Sequence, residues 1–203
     1  MSNPLVLSIT GASGAVYAVR LLEMLVQAGR DVHLTISPSG RDVLKQELHV
    51  RVDLDRFEVS ALVDLSEKPG HVLYHHYQDF YSPIASGSYL TDGMVICPCS
   101  GATLGTIACG TATNLVHRAA EVHLKERRKL ILVTRETPLS LIHIENMKRI
   151  VEAGAVVLPA APGWYHGVNS VMDLVDFVVA RVLDQLHVDH TLMKRWSQDR
   201  AES

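Results

Sequence analysis

Short apolar runs alternate with amphipathic stretches along this chain. The runs have the length and the aliphatic content of buried strands, and they cover residues 5–10, 31–37, 94–97, 129–134 and 155–158. In the stretches between them, apolar residues recur every three or four positions, as in helices that bury one face. These stretches cover residues 15–28, 41–46, 100–107, 114–127, 140–153 and 171–186. Strands that alternate with helices predict an α/β sandwich with a mostly parallel sheet.

The segment 48–80 fits neither pattern, because it is polar and mixed. We expect it to connect elements of the sheet or to cover the sheet. The last amphipathic stretch ends near Leu186, and a polar segment that contains Trp196 follows it. The pattern therefore predicts one α/β domain over residues 1–187. The tail, residues 188–203, is expected to pack on a neighbouring subunit.

Composition narrows the class of protein. A chain of 203 residues with 47% hydrophobic and 5% aromatic residues can bury one aliphatic core, which suits a parallel sheet. The formal net charge of −3 argues against a dedicated nucleic-acid binder. No apolar run is long enough to span a membrane. No basic region precedes the first apolar run, so no signal peptide is evident.

Cysteine and histidine usage gives no sign of a metal centre. The three cysteines, Cys97, Cys99 and Cys109, match neither a disulfide framework nor a zinc motif. We therefore expect reduced thiols and a cytoplasmic location. The eleven histidines are scattered, and the pair His75-His76 has no acidic or cysteine partner at ligand spacing. Surface or packing histidines are the favoured interpretation, and no metal site is expected.

A glycine-rich turn follows the first predicted strand. Gly11-Ala12-Ser13-Gly14 joins that strand to the first helix, where free backbone N–H groups and a partial positive charge suit a phosphate. The motif is G-x-S-G rather than G-x-G-x-x-G. Ser37 ends the second strand, where a dinucleotide site would need an acidic residue for the ribose. The turn thus disfavours a nicotinamide dinucleotide and favours a mononucleotide phosphate or a flavin; alternatively, it is simply a tight turn.

Two further segments have small and hydroxylated residues. Ser100 and Thr103 follow the third strand and are three positions apart, so both can face one ligand at a helix start. Cys97 and Cys99 lack a histidine and acid partner nearby, so we interpret them as packing residues rather than nucleophiles. Upstream, 85–88 (ASGS) forms a second flexible, hydroxyl-rich loop.

Charged residues surround the predicted strand 129–134. Arg135 and Glu136 follow that strand directly, at the edge where open α/β sheets bind ligands. Arg135 there suits an anion clamp, and Glu136 suits a proton donor. The alternative is a solvated basic helix followed by a capping loop.

Other cations precede and follow that strand. Arg118 and Lys125 are seven positions apart and share a helical face, and Arg181 lies further on. These cations, with Arg135, exceed what one phosphate monoester requires, and a flavin phosphate with a second phosphorylated substrate would explain them. Each could instead be a surface charge. That is our interpretation of three others: Arg127, Arg128 and Lys129.

Together these segments resemble the UbiX family of flavin prenyltransferases, from about Leu5 to Trp196. The resemblance is clearest in TGASGA, ASGS, MVICPCS, RAAEVHLKERRKL, RETPLS, GAVVLPAAPGWYH and DLVDFVVARVLD. It implies a Rossmann-like (flavodoxin-like) three-layer sandwich that binds FMN and assembles into a dodecamer. It also implies transfer of the dimethylallyl group of dimethylallyl monophosphate to N5 and C6 of reduced FMN. The product, prenylated FMN, would serve a UbiD-type decarboxylase.

The resemblance also assigns roles to individual residues. It implies FMN contacts at Gly11, Ala12, Ser13, Ser37, Ser100, Gly101, Ala102, Thr103 and Arg135. Prenyl-phosphate contacts fall on Lys125, Tyr165 and Arg181, with Arg118 close by, and Lys125 is counted among the catalytic residues. Acid–base roles fall on Glu47 and Glu136, with Ser13 as a proton relay. Phe80 stands where relatives often have tryptophan, and the pair Gly101-Ala102 is smaller than the residues that many family members have there. Both differences bear on the details of the substrate rather than on the class of reaction.

The residues favour a metal-independent reaction. Magnesium-dependent prenyltransferases use Asp-rich motifs, which this chain lacks, so Lys and Arg would have to neutralise the departing phosphate. Two alternatives remain open. An FMN-dependent cysteine decarboxylase would leave the prenyl-phosphate residues without a purpose. A non-catalytic flavin carrier subunit of a decarboxylase would not need Glu47 and Glu136.

Overall fold

The chain folds around one six-stranded sheet. The computed structural model describes residues 2–165 and 167–193. The strands are β1 Leu5–Ile9, β2 Val32–Ile36, β3 Val72–Tyr74, β4 Gly93–Cys99, β5 Leu130–Thr134 and β6 Val156–Pro159. They lie in the order β3-β2-β1-β4-β5-β6, and every neighbouring pair is parallel. This confirms the predicted α/β fold with a Rossmann-like strand order.

Helices cover both faces of the sheet. They are α1 Ala15–Gln27, α2 Pro38–Leu48, α3 Gly101–Cys109, α4 Leu115–Lys125, α5 Leu141–Glu152 and α6 Val171–Leu186; single 3₁₀ turns lie at Val59–Ala61 and Pro83–Ala85. Buried residues of α1 and α6 form one core with one face of the sheet. Those of α3, α4 and α5 form a second core with the other face. The result is the expected three-layer sandwich.

Aliphatic side chains alternate between the two cores along each strand. Leu5, Leu7 and Ile9 of β1 face the core of α1 and α6, whereas Val6 faces the opposite core. All four are at most 1% exposed. A strand buried on both faces needs a nearly continuous apolar run, which is the pattern that identified β1 in the sequence.

Two histidines, His33 on β2 and His75 directly after β3, form a buried polar contact. His33 Nδ1 shares a hydrogen bond with His75 Nε2 at 2.6 Å, and His33 Nε2 contacts the Tyr89 hydroxyl at 2.9 Å. Burial, together with the neighbouring His75, lowers the pKa of His33 to about 4. The two rings are therefore neutral packing groups at physiological pH, as interpreted for His75 from the sequence.

The structure differs from the sequence prediction in two strands. The segment 48–80, expected to connect or cover the sheet, also supplies the edge strand β3, whose three residues are too few to show a period of two. The strand β4 continues through Pro98 to Cys99, although the proline was expected to end it. Burial raises the pKa of the Cys99 thiol to about 12 and raises that of Cys97 as well. Both cysteines are therefore packing residues, as predicted.

The described start of the tail packs on its own subunit. Val188 is 6% exposed and belongs to the core of α1 and α6, and Leu192 packs against the same core. Residues 194–203, with Trp196, lie outside the described residues. Within the described ranges, no helix is long and apolar enough to cross a membrane.

The strand order creates a crevice between β1 and β4. The chain runs outward from β1 to β2 and β3, then returns to the other side of β1 as β4. The connections that leave β1 and β4 diverge, so a crevice opens at their carboxyl ends. Ligands of open α/β sheets bind at such a switch point.

We expect Gly40→Ala to destabilise the fold. A Cβ at Gly40 would lie 2.5 Å from the Ile9 carbonyl oxygen, which belongs to the backbone at the end of β1 and cannot move aside cheaply. Overpacking of this kind costs about 1–3 kcal/mol. Urea unfolding at fixed protein concentration measures the loss.

Gly105→Ala is the matched control for that substitution. Its Cβ would meet only the Nδ2 tip of Asn146, at 3.3 Å, and alanine is favoured over glycine inside a helix by about 1 kcal/mol. Equal loss of stability in both variants would show that the backbone contact at Gly40 is not the cause.

Candidate functional site

Three helices begin at the crevice. The helices α1, α2 and α3 follow β1, β2 and β4 directly, so their N-termini meet at the same edge of the sheet. Each N-terminus carries a partial positive charge. The crevice is therefore favourable for an anionic ligand.

Serines cap two of these helices. Ser37 Oγ accepts a hydrogen bond from Gly40 N at 3.0 Å at the start of α2. Ser100 Oγ accepts from Thr103 N at 3.2 Å and donates to Thr103 Oγ1 at 3.0 Å at the start of α3. Ser100 and Thr103 thus face the same side, as their spacing predicts. The first N–H groups of α3, at Gly101 and Ala102, are at the crevice edge, where a phosphate can use them.

Thr10 holds the two sides of the crevice together. Its hydroxyl donates to the Pro98 carbonyl at 2.7 Å and accepts from Ser100 N at 3.0 Å. These bonds tie the end of β1 to the end of β4. Thr10 was not among the residues expected at the site; the available signal was a hydroxyl between a buried strand and Gly11.

The turn after β1 needs its glycines. A Cβ at Gly11 would lie 2.5 Å from the Ser39 Cβ, and Gly14 has a φ of +119°, which L side chains rarely adopt. Ala12 between them is buried. The turn therefore lets a ligand approach its backbone closely. Together with the hydroxyls of Ser13 and Ser37, this turn fits a flavin mononucleotide. The C-terminal end of β2 offers a serine rather than the carboxylate of a dinucleotide site.

The N-terminus of α1 already holds an anion of the protein itself. Gly14 N and Ala15 N each donate to the Glu47 carboxylate at 2.9 Å. The expectation that these N–H groups are free for a phosphate is therefore wrong. The reason is that α2 brings Glu47, near its C-terminal end, back over the start of α1. The backbone N–H groups that remain for a phosphate at this edge are those of the turn 11–13 and of the start of α3.

Glu47 is held in its ionised form. Burial opposes its charge, but hydrogen bonds from the Ser13 hydroxyl and from Gly14 N and Ala15 N, with the charge of Arg135, outweigh it and lower the pKa of Glu47. At neutral pH this carboxylate accepts a proton rather than donating one. The Ser13 hydroxyl connects it to the open side of the crevice.

Arg135 and Glu136 extend the site from the end of β5. Arg135 Nε donates to the Ser13 carbonyl at 3.4 Å, which leaves the other N–H donors of the guanidinium for an anion. Glu136 Oε2 lies 3.7 Å from the position that a Cβ on Gly101 would occupy. One subunit therefore brings Ser13, Arg135, Glu136 and the start of α3 together at one edge.

Lys125 lies at the opposite edge of its own subunit. It ends α4, which leads within five residues into the start of β5, and it forms an ion pair with Glu126. Its Nζ would be 2.6 Å from a Cβ on Gly87, in the loop before β4. The expectation that Lys125 joins the other cations at the carboxyl edge is thus wrong for a single subunit, because a crossover helix ends where the next strand begins.

Arg118, Arg181 and Tyr165 each make contacts within their own subunit. Arg118 Nε donates to the Ala85 carbonyl at 3.1 Å and thereby supports the loop 85–88. Arg181 Nη1 forms an ion pair with Asp184 at 2.9 Å on α6. Tyr165, in the loop after β6, is 63% exposed, and its ring packs edge-on against Phe177.

Arg128 is not a free surface charge, which corrects our interpretation of the sequence. Its Nη1 donates to the Tyr89 carbonyl at 2.7 Å and its Nη2 donates to the Gly87 carbonyl. With Arg118, it fixes both ends of the loop 85–88. The sequence placed this arginine in a basic run, where the solvated interpretation is the ordinary one.

Metal ligands do not cluster in the described part of the chain. Over residues 2–165 and 167–193, no group of three or more His, Cys, Asp or Glu side chains is placed to hold a metal ion.

Comparison with known proteins identifies relatives over the whole chain. Residues 1–183 match the flavoprotein family. The flavin prenyltransferase UbiX of Pseudomonas aeruginosa is 46% identical over 202 residues, which cover 98% of this chain and 97% of the relative. The flavin prenyltransferase UbiX of Halalkalibacterium halodurans is 45% identical over 192 residues, with 95% and 92% covered.

Solved structures show the same fold. The crystal structure of AnUbiX (PadA1) in complex with FMN and dimethylallyl pyrophosphate has a TM-score of 0.84 and 37% identity, and 97% of this chain and 98% of that chain are covered. A dodecameric FMN-dependent UbiX-like decarboxylase from Escherichia coli O157:H7 has a TM-score of 0.82 and 38% identity, with 96% and 99% covered. By fold, sequence and the residues at the crevice, this chain belongs to the flavoprotein family and, within it, to the UbiX flavin prenyltransferases.

Proposed function

We propose that this protein is a flavin prenyltransferase that joins the dimethylallyl group of dimethylallyl monophosphate to N5 and C6 of reduced FMN. One observation carries this proposal. A chain that is 45–46% identical to flavin prenyltransferases over nearly its whole length places Ser13, Glu47, Arg135 and Glu136 around one crevice at the switch point of the sheet. The product, prenylated FMN, is passed to a UbiD-type decarboxylase.

The crevice supplies groups for binding the flavin. When bound, reduced FMN supplies the two nucleophilic positions, N5 and C6. The turn Gly11-Ala12-Ser13 and Ser37 line one side of the crevice, and Ser100, Gly101, Ala102 and Thr103 line the other; Arg135 closes it from the end of β5. Their backbone N–H groups, hydroxyls and guanidinium are donors that a phosphate and a polar flavin edge accept from.

The same groups provide proton carriers for the reaction. Replacing hydrogen at N5 and C6 with carbon requires that protons leave the flavin, and closing the ring requires that one be added to the prenyl chain. The ionised Glu47 accepts protons through the Ser13 hydroxyl, which is hydrogen-bonded to it. Glu136, next to the anion clamp Arg135, is the proton donor. A correctly placed acid or base of this kind accelerates a reaction about 10²- to 10⁴-fold.

The phosphate of the second substrate is held by cations from more than one subunit. Lys125 lies at the opposite edge of the sheet from Arg135, and Lys125 and Arg181 are both half exposed, so both are available to neighbouring copies. Exposed apolar side chains support assembly: Leu141 and Ile142 at the start of α5 are 71% and 72% exposed, and Val171 at the start of α6 is 75% exposed. We propose a dodecamer in which Lys125, Arg181 and Tyr165 meet at the crevice of another subunit, with Arg118 close by.

Two alternatives receive less support. Cysteine decarboxylases such as TvaF and the peptidyl-cysteine decarboxylase EpiD are 18% and 15% identical to this chain, which shows a shared fold alone. A flavin carrier without catalysis has no need of an ionised Glu47 hydrogen-bonded to Ser13.

The direct test is incubation with reduced FMN and dimethylallyl monophosphate under anaerobic conditions, followed by mass measurement of the flavin. Addition of one prenyl unit is expected; an unchanged flavin with bound FMN contradicts the proposal.

Glu47→Gln should impair both turnover and the stability of α1. Glutamine cannot accept a proton, so single-turnover prenylation should fall by about 10²-fold or more. The lost charge at the start of α1 should reduce the free energy of unfolding by roughly 0.3–1 kcal/mol. Because the pKa of Glu47 is lowered in the folded state, this difference in stability should be present above the ordinary pKa of glutamate and disappear as the pH falls through the lowered value.

Glu152→Gln, at the C-terminal end of α5, is the control for that substitution. Glu152 is exposed and pairs only loosely with Lys148, at 3.9 Å. Its substitution should leave turnover unchanged. Unchanged turnover in Glu47→Gln as well would remove Glu47 from the mechanism.

Lys125→Ala should slow prenylation while FMN remains bound. Loss of a charge-assisted contact to the second phosphate costs about 1.5–3 kcal/mol, or roughly 10- to 150-fold in rate. Lys148→Ala, also an exposed lysine on a helix, is the control. Oligomers coexpressed from Lys125→Ala and Glu47→Gln subunits should recover activity, because some sites then combine an intact Lys125 with an intact Glu47. Equal loss of FMN affinity, or no recovery in mixed oligomers, contradicts this placement.

Turnover should not require a divalent metal. Fixed cations in a site that excludes water stabilise a departing phosphate more strongly than they would in bulk solvent. Activity with reduced FMN under anaerobic conditions should survive excess EDTA. Loss of turnover on chelation, restored by magnesium, would show that the cations do not replace the metal.

A further inference from the structure

The helix α5 packs closely on α3 because α3 carries two glycines one turn apart. A Cβ on Gly101 would lie 2.8 Å from His143 Nε2, and a Cβ on Gly105 would lie 3.3 Å from Asn146 Nδ2. The polar tips of His143 and Asn146 thus occupy space that alanine side chains would take. The glycines form a notch in α3 that receives two polar side chains from α5.

The imidazole of His143 is fixed in orientation by the start of its own helix. Its Nδ1 accepts a hydrogen bond from Ser140 N at 3.2 Å, and Ser140 Oγ accepts one from His143 N at 3.3 Å. This is a capping box, in which the third helical position is usually Glu or Gln. Because Nδ1 is an acceptor, the neutral ring carries its proton on Nε2. The imidazole therefore offers an N–H donor on the side that faces α3.

Glu136 approaches the same point from the end of β5. Its Oε2 lies 3.7 Å from the Cβ position of Gly101, and His143 Nε2 lies 2.8 Å from that position. The two atoms can be no farther apart than the sum of these distances. Arg135, the preceding residue, is bound to the Ser13 carbonyl on the opposite side. The His143 donor and the Glu136 carboxylate thus both lie within 4 Å of the Cβ position of Gly101.

We propose that His143 is a positioning residue whose Nε2–H donates to the Glu136 carboxylate and holds it beside the start of α3 for proton transfer. The assignment rests on the proposed function, because it assigns Glu136 a proton-carrying role. The contact fixes the rotamer of an otherwise exposed side chain, so that the carboxyl group is held where it can donate its proton. Gly101 belongs to the same arrangement, because a side chain at that position would displace the imidazole.

Three substitutions of His143 separate this role from capping. His143→Gln keeps an acceptor for Ser140 N and retains an amide donor. His143→Glu keeps the acceptor but replaces the donor with a like charge facing Glu136. His143→Ala removes both. Asn146→Ala is the matched control, because it removes the other polar tip from the notch without touching the proposed donor.

The readouts are FMN affinity of the unloaded protein, measured by titration, and the pH profile of prenylation from mass analysis of the flavin. We expect FMN affinity within about twofold of wild type for His143→Gln, His143→Glu and Asn146→Ala. Prenylation should fall at least tenfold in His143→Glu and stay within about threefold in His143→Gln. The pH profile of His143→Glu should shift to higher pH, because loss of the donor and addition of a like charge disfavour the charged carboxylate.

A double substitution isolates the coupling to Glu136. In a Glu136→Gln background, His143→Glu should have little further effect on rate, because the two residues act as one unit. Independent effects, or an equal loss of rate in Asn146→Ala, would overturn the assignment while leaving prenyl transfer by the wild type intact. A comparable loss of FMN affinity in all three His143 variants would also overturn it, since His143 would then contact the flavin. A wild-type protein that makes no prenylated flavin overturns the proposed function itself.

Discussion

The contact of Glu47 with the N-terminus of α1 organises the rest of the site. Two backbone N–H groups and the Ser13 hydroxyl converge on this carboxylate, and Arg135 lies close enough to lower its pKa. A helix N-terminus at the switch point of an α/β sheet ordinarily attracts the ligand's own anion. Here a protein carboxylate takes that place, and the proposed function uses it as the base beside the crevice.

The surrounding fold makes this arrangement rigid. The sheet is buried by aliphatic helices on both faces, and Thr10 ties the ends of β1 and β4 together across the crevice. The glycines of the turn after β1 allow α2 to approach closely, which is what brings Glu47 over α1. The site therefore depends on backbone positions that the core determines, and comparatively little on flexible side chains. The cations proposed for a second phosphate are the exception, because Lys125 is at the opposite edge, and the proposal therefore draws it from another subunit.

Much of the fold follows from the sequence, since β1 and β5 are nearly continuous apolar runs between amphipathic helices. The edge strand β3 could not be found in this way, because three residues do not establish a period. Residues directly after a strand, such as Ser13, Arg135 and Glu136, were predictable at the carboxyl edge from strand direction alone. The contact of Glu47 with α1 was not, because it depends on how α2 is tilted across the sheet. His143 was overlooked because its capping box uses an imidazole where Glu or Gln is usual.

The central claim is that one subunit holds the flavin at the switch point while its neighbours supply cations for the second phosphate. The most direct test is an experimental structure of the assembled protein with FMN and dimethylallyl monophosphate bound. We predict FMN between the turn after β1 and the start of α3, with Arg135 beside it and Lys125 of a neighbouring subunit on the prenyl phosphate. A prenyl phosphate bound without any residue from a second subunit, or FMN away from the β1–β4 crevice, would contradict the account.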